Sequence, residues 1–431
     1  MTRSDALVIA AFAGAAALLL AATVAWMLPM MLWDHLDLLP MVEGVDQDRL
    51  AGSGFWDSHG GHLHTAAYAL LLVTTFAADG QPWLDGVVSW SLLVLTAAVV
   101  LAVAMRTVPA TPERPFWLLA IVLLALFPGH LANLQWGWQV AVFLCLAGSV
   151  LAIVQLALPR PGWRSDLFAL AGASLALASF ATALALVPTA LGLILTRRTL
   201  AWPARVARTL PWLVLAGLAL LPHLDGAGGG PGDGRQPLQL AAYALNFLGG
   251  GVARFATDLA PWLAAGSLAV AMAVLRRQPL AAPLRPWFGL LLFGLFASVV
   301  VALGRAAPFG TDHAFVTRYV SFSSLYWLGW TGLMATSAPA ASAARGLRRV
   351  QVWATLFVAL ALANAAHLTR KAARLSGQGH AIAAEIRATW PAVREDLLRD
   401  IYFDQPDRAR QRLDILHRYR WPPFAAEQPD G

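Results

Sequence analysis

"ALVIAAFAGAAALLLAATVAWMLPMM", Ala6 to Met31, is a run of apolar residues without one charge. About 20 such residues in a helix cross the roughly 30 Å hydrocarbon layer of a bilayer, so this stretch is long enough to do so. It exceeds a secretory h-region and has no obvious cleavage site, and it reads as a retained signal-anchor helix. Similar runs recur along the chain, as in "WSLLVLTAAVVLAVAM" (Trp90 to Met105). Of 431 residues, 58% are hydrophobic and 13% charged. That is about half the charge of an ordinary soluble domain. The sequence therefore predicts an all-α, polytopic transmembrane bundle.

Spans are expected near 6–31, 87–105, 117–128, 138–158, 167–180, 183–195, 209–224, 258–275, 287–303, 319–337 and 350–368, eleven in all. Several are short, as helices broken beside a polar cavity would be. With the N-terminus inside, fifteen arginines fall in the N-terminus and inner loops and five, Arg49, Arg235, Arg254, Arg305 and Arg318, in the outer ones. This asymmetry follows the positive-inside rule and places the N-terminus in the cytoplasm. The formal charge of +7 is spread between apolar runs, not gathered into a patch, which argues against a nucleic-acid partner. Cys145 is the only cysteine, so no intrachain disulfide can form. Thirty arginines against one lysine, with abundant Ala, Gly and Pro, suit a GC-rich bacterium and hence its inner membrane.

"HTAAYALLLVTTF" (His64 to Phe76) is apolar but short. If it crossed, every later loop would change sides and the arginine bias would invert, so it is expected to lie along the outer interface. The Gly-rich "LDGAGGGPGDGRQPLQ" (Leu224 to Gln239) reads as an external loop. It divides the membrane part into a first module, 1–224, containing the outer loop 32–86, and a second half, 225–368. The tail, 369–431, carries eleven basic and nine acidic residues after Thr369 and is expected to be a small, soluble helical appendage on the outer, periplasmic side.

Polar residues gather on the outer side. Six of the 24 acids lie between Leu32 and His64. Asp34 and Asp37, three apart, would share a helical face and could accept a proton or help hold a divalent cation. His59 and His62 have the same spacing; imidazoles so placed can donate to phosphate, line a sugar site or bind metal, although no fourth metal ligand is fixed. In "FPGHLANLQWGWQVAVF" (Phe127 to Phe143), Asn133, Trp136 and Gln139 recur every third residue, two amides and an aromatic plane that suit a sugar. In "LGRAAPFGTDHAFVTRYVSF" (Leu303 to Phe322), Arg305 and Arg318 stand outside against the charge bias and could clamp a lipid phosphate.

Together these parts resemble the GT-C fold of integral-membrane glycosyltransferases, and more narrowly a group of bacterial membrane proteins of that type. Their outer loop carries a His-Asn-Glu-His-Arg element, followed by Asn-x-x-Trp-Gly-x-Gln and later Gly-Arg … Ser-Arg-Tyr before an aromatic span. The second element is intact as Asn133, Trp136, Gly137 and Gln139, and the third stands as Gly304, Arg305, Thr317 in place of serine, Arg318 and Tyr319. In the first, His59 and His62 keep their spacing while Gly60, Gly61 and Leu63 replace the amide, acid and arginine. The resemblance implies transfer of a sugar from a polyprenyl-phosphate donor to a glycan or lipid acceptor at the periplasmic face. Asp34 or Asp37 would act as base. His59, His62, Asn133, Trp136, Gln139, Arg305, Arg318 and Tyr319 would bind substrate, and a divalent cation, Mg or Mn, could assist them. The altered first element points to an alternative, a non-catalytic or transport subunit for export of lipid-linked saccharide or polysaccharide.

Overall fold

The computed structural model describes residues 2–57, 63–224, 236–337 and 344–425. Among them the secondary structure is helical throughout, with no strand. The first part of the chain forms α1 (Arg3–Ala25), α2 (Leu39–Asp46), α3 (Thr65–Ala77), α4 (Trp83–Thr107), α5 (Arg114–Ala125) and the single turn α6 (Leu131–Leu134). There follow α7 (Val140–Ala157), α8 (Trp163–Leu177), α9 (Leu186–Leu195) and α10 (Trp202–Leu224). The rest comprises α11 (Pro237–Ala253), α12 (Ala260–Arg277), α13 (Arg285–Phe309), α14 (Val320–Ser337), α15 (Ala344–Thr389), α16 (Glu395–Ile401) and α17 (Pro406–Tyr419). Among the described residues five segments are long and apolar enough to cross a membrane: Arg3–Ala25, Trp83–Thr107, Arg114–Leu134, Gly137–Ala157 and Ala282–Phe309.

Local chemistry sets several boundaries. Thr2 caps α1 through a reciprocal box with Asp5, satisfying backbone donors that the first turn leaves open. The helix stops at Ala25, and the residues to Met31, expected within the same span, run on as buried non-helical chain. α13 extends beyond the expected 303 to Phe309, where Gly310 takes a positive φ of 75° and ends it. α7 and α8 cross with backbone almost in contact. A Cβ on Gly148 would stand 2.4 Å from the carbonyl of Gly172, and one on Gly172 2.6 Å from that of Gly148. Only glycine permits such an approach.

Helix ends sort into two sets. At one end Asp5 pairs with Arg114 at 2.6 Å, and Arg114 also donates to the carbonyl of Met105. There too Arg197 donates to the carbonyls of Leu156 and Leu158, Arg285 to that of Leu193, and Gln278 to that of Ser337. This arginine-rich end therefore joins the start of α1 to the ends of α4, α7, α9, α12 and α14. The opposite end carries the first loop, the turns after α5, α8 and α13, and the chain's tail.

The core has two layers. One apolar cluster runs through the bundle from Val8 to Ala372 and takes in residues on both sides of Leu224, so the two expected membrane modules share a core. A second cluster forms a cap at the opposite end, in which Leu36, Leu39 and Val42 of the first loop and Tyr68 and Leu71 of α3 pack with Leu398, Leu413 and Leu416 of the tail. α3, 13 residues long, thus packs in the cap through Tyr68 and Leu71. α15 is 46 residues long, roughly 69 Å at 1.5 Å per residue, and joins the bundle to the tail as one rod.

Candidate functional site

Where cap and bundle meet, a cavity of about 430 Å³ is lined from five directions. The end of α13 gives Val300, Gly304, Arg305 and Phe309, and the turns after it His313, Arg318 and Tyr319. The turn after α8 adds Phe180 and Thr182, and the turn before α7 Trp138 and Gln139. Asp34 and His64 come from the first loop, and Phe403 from the tail.

The two arginines are held by their own neighbours. Arg305, in the last turn of α13, lies over the ring of Phe309 at 5.5 Å, and Arg318 over that of Tyr319 at 5.6 Å. Among the described residues neither closes an ion pair with a carboxylate. Guanidinium groups so placed favour an anion in the cavity. Between them stands His313, stacked on Phe309 at 4.6 Å, its Nδ1 2.9 Å from the hydroxyl of Tyr243. Burial, and then the charges of Arg318 and Arg305, pull its pKa down to about 4. It is a neutral hydrogen-bonding group at pH 7.

The Asn-x-x-Trp-Gly-x-Gln element is not one helical face. α6 ends at Leu134, Trp136 is extended (φ −115°, ψ 102°), and Gly137–Gln139 forms a separate 3-10 turn. Its side chains accordingly diverge. Asn133 is buried and gives its two amide hydrogens to the carbonyl of Arg318 (3.0 Å) and the hydroxyl of Ser321 (2.7 Å). It therefore fixes Arg318 and does not face the cavity. Trp136 donates to the carbonyl of Leu32 at 3.1 Å and meets Trp33 edge-on, fastening the first loop to the bundle. Gln139 alone of the three lines the cavity, and its Oε1, buried, has no partner among the described residues. The aromatic wall is Trp138, packed against His64 and Tyr68.

Gly137 has a different task. A Cβ there would lie 2.5 Å from Asp85 Oδ2 and 2.7 Å from His35 Cε1. These two form a buried pair, Nε2 to Oδ2 3.6 Å, with Asp85 also accepting from the hydroxyl of Thr74. Burial holds the His35 pKa down at about 3, so at neutral pH the pair is a neutral imidazole beside a carboxyl.

The aspartates separate as well. The stretch Trp33–Leu38 is a 3-10 helix, not a continuation of α1, and Trp33 turns through a positive φ of 55°. Asp34 lines the cavity. Asp37 is turned to the tail, where the hydroxyl of Tyr402 donates to it and Arg412 stands 3.9 Å away. Glu43 pairs with Arg418, Asp46 accepts from the hydroxyl of Tyr419, and Trp33 donates to the carbonyl of Asp400. Much of the loop's acid is thus used to hold the tail.

Of the residues expected from the sequence, the cavity brings together Asp34, Gln139, Arg305, Arg318 and Tyr319; Asp37, Asn133 and Trp136 support its walls from behind. His59 and His62 lie outside the described residues. His64, Trp138 and His313 were missed, although each stood within a stretch already singled out. No group of three His, Cys, Asp or Glu that could hold a metal occurs among the described residues. Among the described residues that line the cavity Asp34 is the one carboxylate, and the chemistry below is derived without a metal. Comparisons with protein-family profiles, curated proteins and solved structures return no match.

Proposed function

We propose that this chain is a GT-C-type membrane glycosyltransferase, moving a sugar from a polyprenyl-phosphate donor to a glycan or lipid acceptor. The reading is carried by one observation: Asp34, Arg305 and Arg318, remote in sequence, line a single cavity with Gln139 and Trp138. The arginine-rich end is read as cytoplasmic and the capped end as periplasmic, in a bacterial inner membrane, because inner loops collect arginine. The eleven-span count adds α8, α9 with its preceding turn, α10, α12, α14 and the first part of α15 to the five long apolar segments.

In this reading the Asp34 carboxylate takes the proton of the acceptor hydroxyl, whose oxygen attacks the anomeric carbon. The bond from that carbon to the phosphate oxygen breaks, and the phosphate leaves with the electron pair. Arg305 and Arg318 stabilise the charge it gains, commonly the largest contribution to such catalysis. Neutral His313 offers a hydrogen bond without competing for the anion. Trp138 and Gln139 supply a ring face and an amide for the sugar.

The test is transfer of labelled sugar in membranes containing the full chain. Asp34→Asn should lower the rate at least about 100-fold, the usual worth of a general base, while Asp37→Asn, engaged by the tail, stays within a few-fold. Wild-type transfer by Asp34→Asn would end the base assignment. A second reading, a binding or transport subunit without catalysis, draws on the diversion of Asp37 to Tyr402 and Arg412. It predicts binding of the lipid-phosphate sugar that depends on Arg305 and Arg318, with no turnover by the wild type.

A further inference from the structure

A second group of cations lies at the capped end, outside the cavity. Arg254 closes α11 and is only 5% exposed. Its backbone N–H donates to Asn364 Oδ1 at 2.9 Å, and Asn364 in turn donates to the carbonyl of Gly251, which locks α15 against α11. Nη1 of Arg254 donates to the carbonyl of Val316, while Nη2 has no partner among the described residues. α15 adds His367, Arg370, Lys371 and Arg374, exposed and spaced along one helical face. The charges acting on His367 are Arg254, Lys371, Arg370 and Arg374, all positive, and Arg254 also acts on Lys371. None of these cations closes an ion pair among the described residues. Like charges gathered without a counter-charge repel one another, and a bound anion would relieve them.

The surroundings identify the kind of anion. One to two turns before His367 on the exposed side of α15 stands Leu362, 54% exposed, and near the start of α12 Trp262 is 75% exposed. Apolar and aromatic surface below a cationic face is the profile of the lipid boundary, with headgroups at the level of the charges. Simple snorkelling would place long side chains at this depth too, but it would not call for a buried arginine with a spare donor. We propose that Arg254, His367, Arg370, Lys371 and Arg374 form a binding site for the phosphate of an anionic phospholipid. This does not depend on the sugar-transfer reading. The site is joined to the cavity through the segment Val316–Arg318, which Arg254 holds at one residue and Asn133 at another.

The experiment uses the full chain, delipidated in detergent, with lipid binding followed by native mass spectrometry and thermal unfolding. Phosphatidylglycerol, phosphatidylcholine of the same acyl chains, and inorganic phosphate are the probes. Wild type and the control Arg276→Gln/Arg277→Gln should bind phosphatidylglycerol at least ten-fold more tightly than phosphatidylcholine. Arg370→Gln/Lys371→Gln, altered only at exposed positions, should lose most of that preference even if Arg254→Gln proves unable to fold. Equal binding of the two lipids, or an unchanged preference in the double variant, would overturn the site. Stabilisation by inorganic phosphate as large as by the lipid would overturn the lipid as its occupant.

Discussion

Replacing Gly137 by alanine tests the packing on which the site rests. The added methyl would meet Asp85 Oδ2 at 2.5 Å, His35 Cε1 at 2.7 Å and Asp85 Cβ at 2.9 Å. None is the free end of a flexible chain. Asp85 is tied to Thr74, and His35 is buried against Trp138. Overpacking of this kind costs about 1–3 kcal/mol, which, with an unfolding entropy of about 2.1 cal/mol/K per residue, lowers the melting temperature by about 1–3 °C in a chain of 431 residues. Cys145, the sole cysteine and fully buried in the bundle, is a built-in reporter, because a thiol-reactive dye labels it only as the core opens. Adding Asp85→Ala removes the atom nearest the new methyl, so the double variant should lose less than the sum of the single ones. A melting temperature for Gly137→Ala equal to that of wild type would refute the close approach of these three residues.

Asn133→Leu takes from the carbonyl of Arg318 its Asn133 donor, at about 1–3 kcal/mol for a buried group left unsatisfied, while the hydroxyl of Ser321 keeps His130 Nδ1 as a partner. Both the Cys145 melting temperature and lipid-phosphate binding should fall, whereas a residue contacting sugar alone would lower only the second. The depressed pKa of His313 has a signed consequence. Its folded value of about 4 lies below its ordinary 6.5, so as pH falls through this interval the unfolded chain takes up a proton that the folded one refuses, and stability declines. His313→Gln should flatten that part of the pH–stability curve, and an unchanged slope would show that the imidazole titrates alike in both states.

The sequence disclosed most of the helices because apolar length is a local property. α4 was expected over 87–105 and runs Trp83–Thr107. The tail stretches "WPAVREDLLRDIYF" and "RARQRLDILHRYR" hold α16 and all but the first two residues of α17. α11 was overlooked because Gln239, Asn246 and three consecutive glycines disguise it. Its polar groups are satisfied elsewhere: Gln239 donates to the carbonyl of Ala306 and Asn246 to that of Thr311. Such long-range partners leave no trace in a hydropathy pattern. The same limit governs the site. Arg305 and Arg318 were legible as charges placed against a strong bias. Asn133, Trp136 and Gln139 could not be told apart, since the extended backbone at Trp136 that sends them in three directions depends on the loop packed against it.

The cap is made from segments near both ends of the chain, and this yields a further expectation for the tail. Phe403 reaches the cavity from a turn in which it and Asp404 both have positive φ, 43° and 60°. Two non-glycine residues hold that conformation only where their surroundings impose it, and here Tyr402 is bound to Asp37 on one side while Arg399 pairs with Asp404 on the other. Ending the chain after Thr389 would remove Phe403 and the partners of Asp37, Glu43 and Asp46, and would expose Leu39, Val42 and Leu71 in the cap. The bundle around Cys145 belongs to the other cluster and should persist. Labelling of Cys145 should therefore hardly change, while the loop 44–57 becomes open to protease and lipid-phosphate binding falls with it. Collapse of the bundle on truncation would mean that the two clusters fold as one, and unchanged binding would mean that Asp34 is held in place without the tail.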